Sequence, residues 1–161
     1  ILQQTLRANS QLLATWTAWE PNAFDGKDSE FTGAGGHDAT GRFVPYWHRT
    51  ASDIALEPLA DYTKPGAGDY YLLAQQGQKP VLVEPYEYKV GDKIVLMTSI
   101  AMPVVEGGKG IGVVGGDLEL DALQQRMAGI DMAPGGRHVT ANRHDLCAAL
   151  GKAATARHRR Q

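Results

Sequence analysis

Residues 84–120 read EPYEYKVGDKIVLMTSIAMPVVEGGKGIGVVGGDLEL, and the reading of this stretch decides the fold. Lys93 to Ala101 is a β-rich run that Met102-Pro103 is expected to end. Val104 to Lys109 closes on a Gly-Gly pair, and Gly110 to Leu118 returns as a second apolar run. Two strands joined by a turn follow. In the second, Ile111, Val113 and Val114 are nearly continuous rather than alternating, which predicts a central strand covered on both faces. One residue breaks its apolar character, Asp117 at the strand's end. A carboxylate beside a buried strand is costly unless something pairs with it. Whether that partner is a neighbouring strand or a ligand decides the function.

Working outward, residues 1–19 carry Ile1, Leu2, Leu6, Leu12, Leu13 and Trp16 at helical spacing, with Gln3, Gln4, Arg7, Asn9 and Gln11 opposite. The pattern predicts one long helix ended by Pro21. A turn-rich loop follows to about Gly41, long enough to be functional or mobile. Arg42 to Thr50 is a short aromatic segment. Ile54 to Ala60 reads as a strand or a helical turn, Asp69 to Ala74 as a helical or extended piece, and Pro80 to Val83 as a third strand. Leu118 to Ala128 reads as a helix, and Leu146 to Ala156 as a short one. The pattern predicts an α+β fold, a PAS-like antiparallel sheet with a long N-terminal helix packed behind it.

With 161 residues, 43% of them hydrophobic, the chain can bury one real core. A formal charge of −2 gives no reason to expect nucleic acid, and no apolar run reaches the ~20 residues of a membrane helix. Cys147 alone makes no internal disulfide framework. Starting at Ile1 without methionine, the sequence reads as a fragment or mature piece, with any membrane anchor lying in flanking segments. Basic residues gather in 137–161, where six Lys and Arg face one acid, Asp145; RHRR at 157–160 reads as a solvated end.

Several motifs carry chemistry by their letters. Gly110-Ile-Gly112-Val-Val-Gly115 spells a dinucleotide fingerprint, but its glycines lie inside a strand rather than at a strand-to-helix turn, so close backbone packing is the better account. The histidines at 37, 48, 138, 144 and 158 form no zinc motif, and Asp25, Asp28 and Glu30 lack calcium-loop spacing; no metal or cofactor is expected. Ser52-Asp53 near His48 is an unremarkable cluster. The aromatic residues are more informative. Tyr46, Trp47, Tyr62, Tyr70, Tyr71, Tyr86 and Tyr88 lie in segments beside proline or glycine. Several such rings converging on Asp117 would cage a cation; equally, they would serve as core rings with hydroxyls at the rim.

The order of segments resembles a Cache sensor domain. It is carried by Trp19-Glu20-Pro21-Asn22-Ala23-Phe24-Asp25-Gly26-Lys27-Asp28, Gly41-Arg42-Phe43-Val44-Pro45-Tyr46-Trp47, Gly68-Asp69-Tyr70-Tyr71, Glu84-Pro85-Tyr86, Met97-Thr98-Ser99 and Gly112-Val113-Val114-Gly115-Gly116-Asp117. Within that family it is similar to the membrane-distal module of double Cache domains in bacterial methyl-accepting chemotaxis proteins. The resemblance covers residues 1–130 and leaves 131–161 as an unassigned basic tail or the start of a following module. It implies a periplasmic domain of an inner-membrane receptor that binds a small molecule through Tyr46, Trp47, Tyr70, Tyr86 and Asp117. Two positions depart from the amino-acid-binding pattern. Val44 stands where those members carry an arginine, and Tyr88 where they carry an acid. Without the guanidinium fork, bidentate grip on a carboxylate is lost unless Arg49 or Arg42 substitutes.

The sequence reading is therefore a ligand-sensing module, not an enzyme. The rings of Tyr46, Trp47, Tyr70, Tyr86 and Tyr88 form the cage, Asp117 supplies the charge, and Arg49 is a candidate polar anchor. The ligand expected is a small amine, quaternary ammonium or amino-acid-like compound, and residues 1–19 offer a homodimer surface. Two rivals stand beside it: an intracellular PAS-type dimerisation module without ligand, and a small hydrolase using His48 and an acid.

Overall fold

Residues 1–128 are described by the computed structural model, with side chains up to 125. The predicted helix at 146–156, Cys147 and the basic tail lie outside them. The expected pair of strands is the spine of an antiparallel sheet. β6 spans Lys93–Glu106 and β7 Lys109–Glu119, joined at Gly107-Gly108, whose φ values of 56° and 80° only glycine adopts easily. Contrary to expectation, Met102-Pro103 does not end β6. Its flanking partner on the other side, β4 (Val81–Leu82), pairs only as far as Ala101, so Pro103 sits where the strand has become an edge and its missing N–H removes nothing.

The larger correction concerns residues 1–19. Only Leu2–Ala8 is helical (α1, seven residues), and Ala14–Trp19 is a strand, β1. The run Ala-Thr-Trp-Thr-Ala-Trp alternates small or threonine positions with rings and suits a pleated surface. Its Leu12, Leu13 and Trp16 matched helical spacing by coincidence. β1 lies mid-sheet beside β7, and its Thr15 hydroxyl donates to the Leu2 carbonyl at 3.0 Å, tying α1 to the outer face.

β2 (Pro45–Arg49) and β3 (Ile54–Pro58) complete one side, and β5 (Tyr86–Val90) pairs with β6 alongside β4. The order is β3-β2-β1-β7-β6-β4, all pairs antiparallel, which places β7 centrally. α2 (Asp69–Gly77) contributes buried Tyr70, Tyr71 and Ala74 to the same core, and α3 spans Leu120–Ala128. Residues 1–124 form one unit. Among the described residues no helix is long and apolar enough to cross a membrane.

Register decides what the inner face presents. One row across β2, β1, β7 and β6 reads His48, Ala14, Asp117, Ser99; the next reads Tyr46, Trp16, Gly115, Ala101. Cross-strand neighbours on one face are the contacts a sheet builds with. Gly115 is required there. A Cβ would come within 2.2 Å of the Trp16 indole, so the glycine lets that ring lie flat on β7.

Candidate ligand site

Asp117 is 1% exposed, and its Oδ1 accepts two hydrogen bonds, from Trp16 Nε1 at 2.8 Å and Ser99 Oγ at 2.6 Å. Ser99 Oγ has one hydrogen and gives it to the carboxylate, so the Tyr86 hydroxyl, 2.6 Å away, donates to Ser99. The relay runs Tyr86 to Ser99 to Asp117. Tyr46 stands close enough to the carboxylate for its hydroxyl to stabilise the ionised form, though the two do not reach full hydrogen-bond geometry. No lysine or arginine among the described residues pairs with Asp117. Burial pushes its pKa up, the bonds from Ser99, Trp16 and Tyr46's proximity pull it down, and the balance leaves it at about 6.

Four tyrosines surround this acid from three elements. Tyr46 comes from β2, Tyr70 from α2, and Tyr86 and Tyr88 from β5. Tyr46 and Tyr88 have centroids 5.5 Å apart, Tyr70 and Tyr88 5.6 Å, Tyr70 and Tyr86 6.0 Å, and Tyr86 and Tyr88 6.3 Å. Trp16 packs edge-on against Tyr70 at 5.3 Å. Burial raises the pKa of all four hydroxyls, so they remain neutral donors at any physiological pH. Two of them fasten the rim: Tyr70 donates to the Ala60 carbonyl at 2.6 Å, and the Ala60 N–H donates to Tyr88 at 3.0 Å. The rings touch one another, so a guest must move at least one of them. A cation held between two ring faces needs about 7 Å between centroids.

Five of the expected residues thus come together, Tyr46, Tyr70, Tyr86, Tyr88 and Asp117. Two do not. Trp47 and Arg49 alternate with Tyr46 and His48 along β2 and fall on the opposite face. Arg49 is engaged there, donating to the carbonyls of Leu12 (2.8 Å), Leu6 (2.5 Å) and Asn9 (3.0 Å). It adds a charged donor to the Leu6 and Asn9 carbonyls at the C-terminal end of α1, which also accept the N–H groups of Asn9 and Leu12. Sequence reasoning missed Trp16 and Ser99, the two donors to Asp117. Reading Ala14–Trp19 as a strand would have found Trp16.

Of the hydrolase reading, His48 has an acid beside it but, among the described residues, hydrogen-bonds to no hydroxyl. His48 Nε2 lies 3.6 Å from Glu57 Oε2, and Nδ1 lies 3.3 Å from the Arg49 carbonyl. Ser52 hydrogen-bonds through its N–H to Thr50 in a surface turn, not to the imidazole. The Gly110–Gly115 run lies within β7 and offers no helix N-terminus for a pyrophosphate.

Comparison with known proteins gives the family. The model of the methyl-accepting chemotaxis protein-like first PDC sensor domain matches residues 1–125. The methyl-accepting chemotaxis protein TlpQ of Pseudomonas aeruginosa is 37% identical over 76% of this chain, which spans 19% of that receptor. Among solved structures, the extracellular domain of the candidate histidine kinase mmHK1S-Z3 is 38% identical, with a TM-score of 0.72 over 83% of this chain and 47% of that one. Methyl-accepting chemotaxis protein X is 38% identical, with a TM-score of 0.62 over 78% of this chain and 46% of its own. The chain therefore spans less than half the length of the relatives it matches. It belongs to the methyl-accepting chemotaxis protein-like first PDC sensor domains, the Cache type of sensor that chemoreceptors and histidine kinases carry.

Proposed function

We propose that this sensor domain, held outside the cytoplasm by a bacterial membrane receptor, recognises a small organic cation at Asp117. The observation that carries the reading is a carboxylate 1% exposed with no cationic partner in the described chain, ringed by four tyrosines. A buried charge without a counter-charge is unfavourable in the free protein. A guest cation removes that cost and also meets the negative faces of the rings. Val44 in place of a guanidinium, and Arg49 occupied by α1, leave no guanidinium on the inner face of β2 for bidentate grip on an α-carboxylate. An amine is therefore favoured over a zwitterionic amino acid held at both ends.

Signalling follows from strand connectivity. Tyr46 faces the ligand and Arg49, three residues on in β2, holds the end of α1 on the other face. A ligand that prefers one placement of Tyr46 biases the seat of α1 through a rigid strand. Its effect is bounded by the difference in its affinity for the two placements. Receptor output beyond the membrane, by methylation-linked chemotaxis or kinase control, is part of the same proposal.

Calorimetry with a panel of alkylammonium ions tests the site. Wild type should bind at least one, and Asp117→Ala should lose binding by at least ~100-fold, the scale expected for a desolvated charge pair. Unchanged affinity in Asp117→Ala would place the ligand elsewhere.

A further inference from the structure

We propose that the site selects ammonium ions bearing N–H donors over their fully methylated counterparts, and that the Tyr46 hydroxyl makes the selection. The inference rests on reading the cage as a cation site and narrows its ligand to a primary or secondary amine. Ring faces and a carboxylate attract any cation, and a quaternary one most readily sheds its water. The discriminating information lies in which polar atoms are still free.

At this site nearly every polar group is engaged. Trp16 Nε1 and Ser99 Oγ donate to Asp117 Oδ1, and Tyr86 donates to Ser99. Tyr70 and Tyr88 are occupied with the two polar groups of Ala60. Among the described residues, the Tyr46 hydroxyl is buried without closing a hydrogen bond of full geometry, and Trp16 and Ser99 both reach Asp117 through Oδ1 rather than Oδ2. His48 Nε2, on the ring stacked against Tyr46, is also buried without one and lies toward Glu57. The tyrosine and the carboxylate belong to one neighbourhood, the Tyr46 hydroxyl lying toward the Asp117 carboxylate just outside full hydrogen-bond geometry. Their residues lie in adjacent rows of the sheet, on strands separated only by β1.

A native protein rarely leaves a buried hydroxyl unmet, and an exception asks for an explanation. An N–H-bearing ammonium supplies one. It donates to Oδ2 and to the tyrosine oxygen together, completing both. A trimethylated ammonium carries the same charge and no donor, so it leaves the buried tyrosine oxygen as unmet as in the free protein and gains nothing from it. Sites built around a hydrogen bond reject the analogue that lacks the donor far more strongly than apolar pockets reject a missing methylene. Discrimination here has the same origin.

The test uses ethylammonium and its N-methyl, N,N-dimethyl and N,N,N-trimethyl derivatives, which share skeleton and charge while N–H donors fall to none. Wild type should bind ethylammonium at least ~10-fold more tightly than the trimethyl ion, with the others ranked by donor count. Tyr46→Phe should shrink that ratio to within about threefold by weakening ethylammonium alone. The variant should also melt no lower than wild type, because it removes a hydroxyl that had no partner to lose. Equal or tighter binding of the trimethyl ion overturns the inference and leaves the cation reading intact. So does a Tyr46→Phe variant that weakens every member equally, or one that melts clearly lower. Silence across the whole series overturns the inference and the cation reading together.

Discussion

Two clusters in this domain are built from the same residue types and come to opposite ends. At the inner face Asp117 sits among tyrosines. At the outer rim, where the long loop meets α2, Asp38 and Glu20 sit among Tyr62 and Tyr71. The rim has a cation: Arg42 donates to the Trp19 carbonyl through Nε at 2.9 Å and Nη2 at 2.7 Å, lies 3.6 Å from Glu20, and stacks 5.0 Å over the Tyr62 ring. Tyr71 donates to Glu20, and Tyr62 to Asp38 at 2.5 Å. Burial raises the Asp38 pKa, but the bonds from Tyr62, Thr40 and Arg42's backbone outweigh it and leave the group below its ordinary value. Asp117 moves the other way. An acid–tyrosine cluster that contains its own arginine is a fastening; one that lacks it is what the proposed cation site requires.

The first way to break this contrast is by pH. Asp117 holds its proton up to about 6 in the folded chain, whereas in an unfolded chain it gives it up near 3.8. Between those values the folded state binds more protons, so stability falls as pH rises, by on the order of 3 kcal/mol if the whole shift is expressed. Above the window the cost is constant. Asp117→Asn should therefore match wild type near pH 4 and exceed it by that order at pH 8 in chemical denaturation. Asp38 carries the opposite sign. Its folded pKa is depressed, so its contribution is present above the unfolded value and lost on acidification. Asp38→Asn should be less stable than wild type at pH 7, with the gap closing below pH 4. Both variants moving in the same direction would show that the two clusters do not differ as described. Ligand affinity gives a second reading, because a cation needs the ionised acid: ethylammonium binding should strengthen from pH 5 to pH 7.

Those slopes belong to atoms the sequence partly revealed. The β6–β7 hairpin was legible from its apolar runs and Gly107-Gly108, and Asp117 from being the one polar residue at the strand's end. The tyrosines were recognisable as a set, and their convergence on Asp117 was one of the two readings their placement left open. What stayed hidden was pleat parity. Tyr46 and Trp47 are neighbouring aromatic residues, and only knowing which of them shares a face with Asp117 separates a ring of the proposed site from an outer one. The same parity hid Arg49's role, since nothing local says that its partners are carbonyls more than thirty residues earlier. β1 was lost because an apolar run can satisfy the helical and the strand period together, and there the strand's β-branched and aromatic content is the better arbiter.

A smaller effect sharpens the rim side of the comparison. Arg42→Ala removes two hydrogen bonds to one carbonyl and the stacking on Tyr62, and should cost about 2–3 kcal/mol in denaturation. Ethylammonium affinity should change little, within about threefold, because no atom of Arg42 reaches Asp117's partners. A large affinity loss would make the rim part of the receptor rather than its fastening.

The smallest expected effect is the most diagnostic of how the sheet divides its labour. Trp47 pairs with Thr15 and Leu56 in register and so turns to the face that α1 occupies, away from the carboxylate. Trp47→Ala removes a large half-buried ring one residue from Tyr46, yet ethylammonium affinity should stay within about twofold of wild type, since the inner row keeps every contact. Arg49→Ala should behave alike in binding while loosening α1, visible as faster amide exchange over residues 2–8. If either substitution costs tenfold in affinity with the fold intact, the outer face contributes to recognition directly, and parity along β2 is not what separates binding from structure.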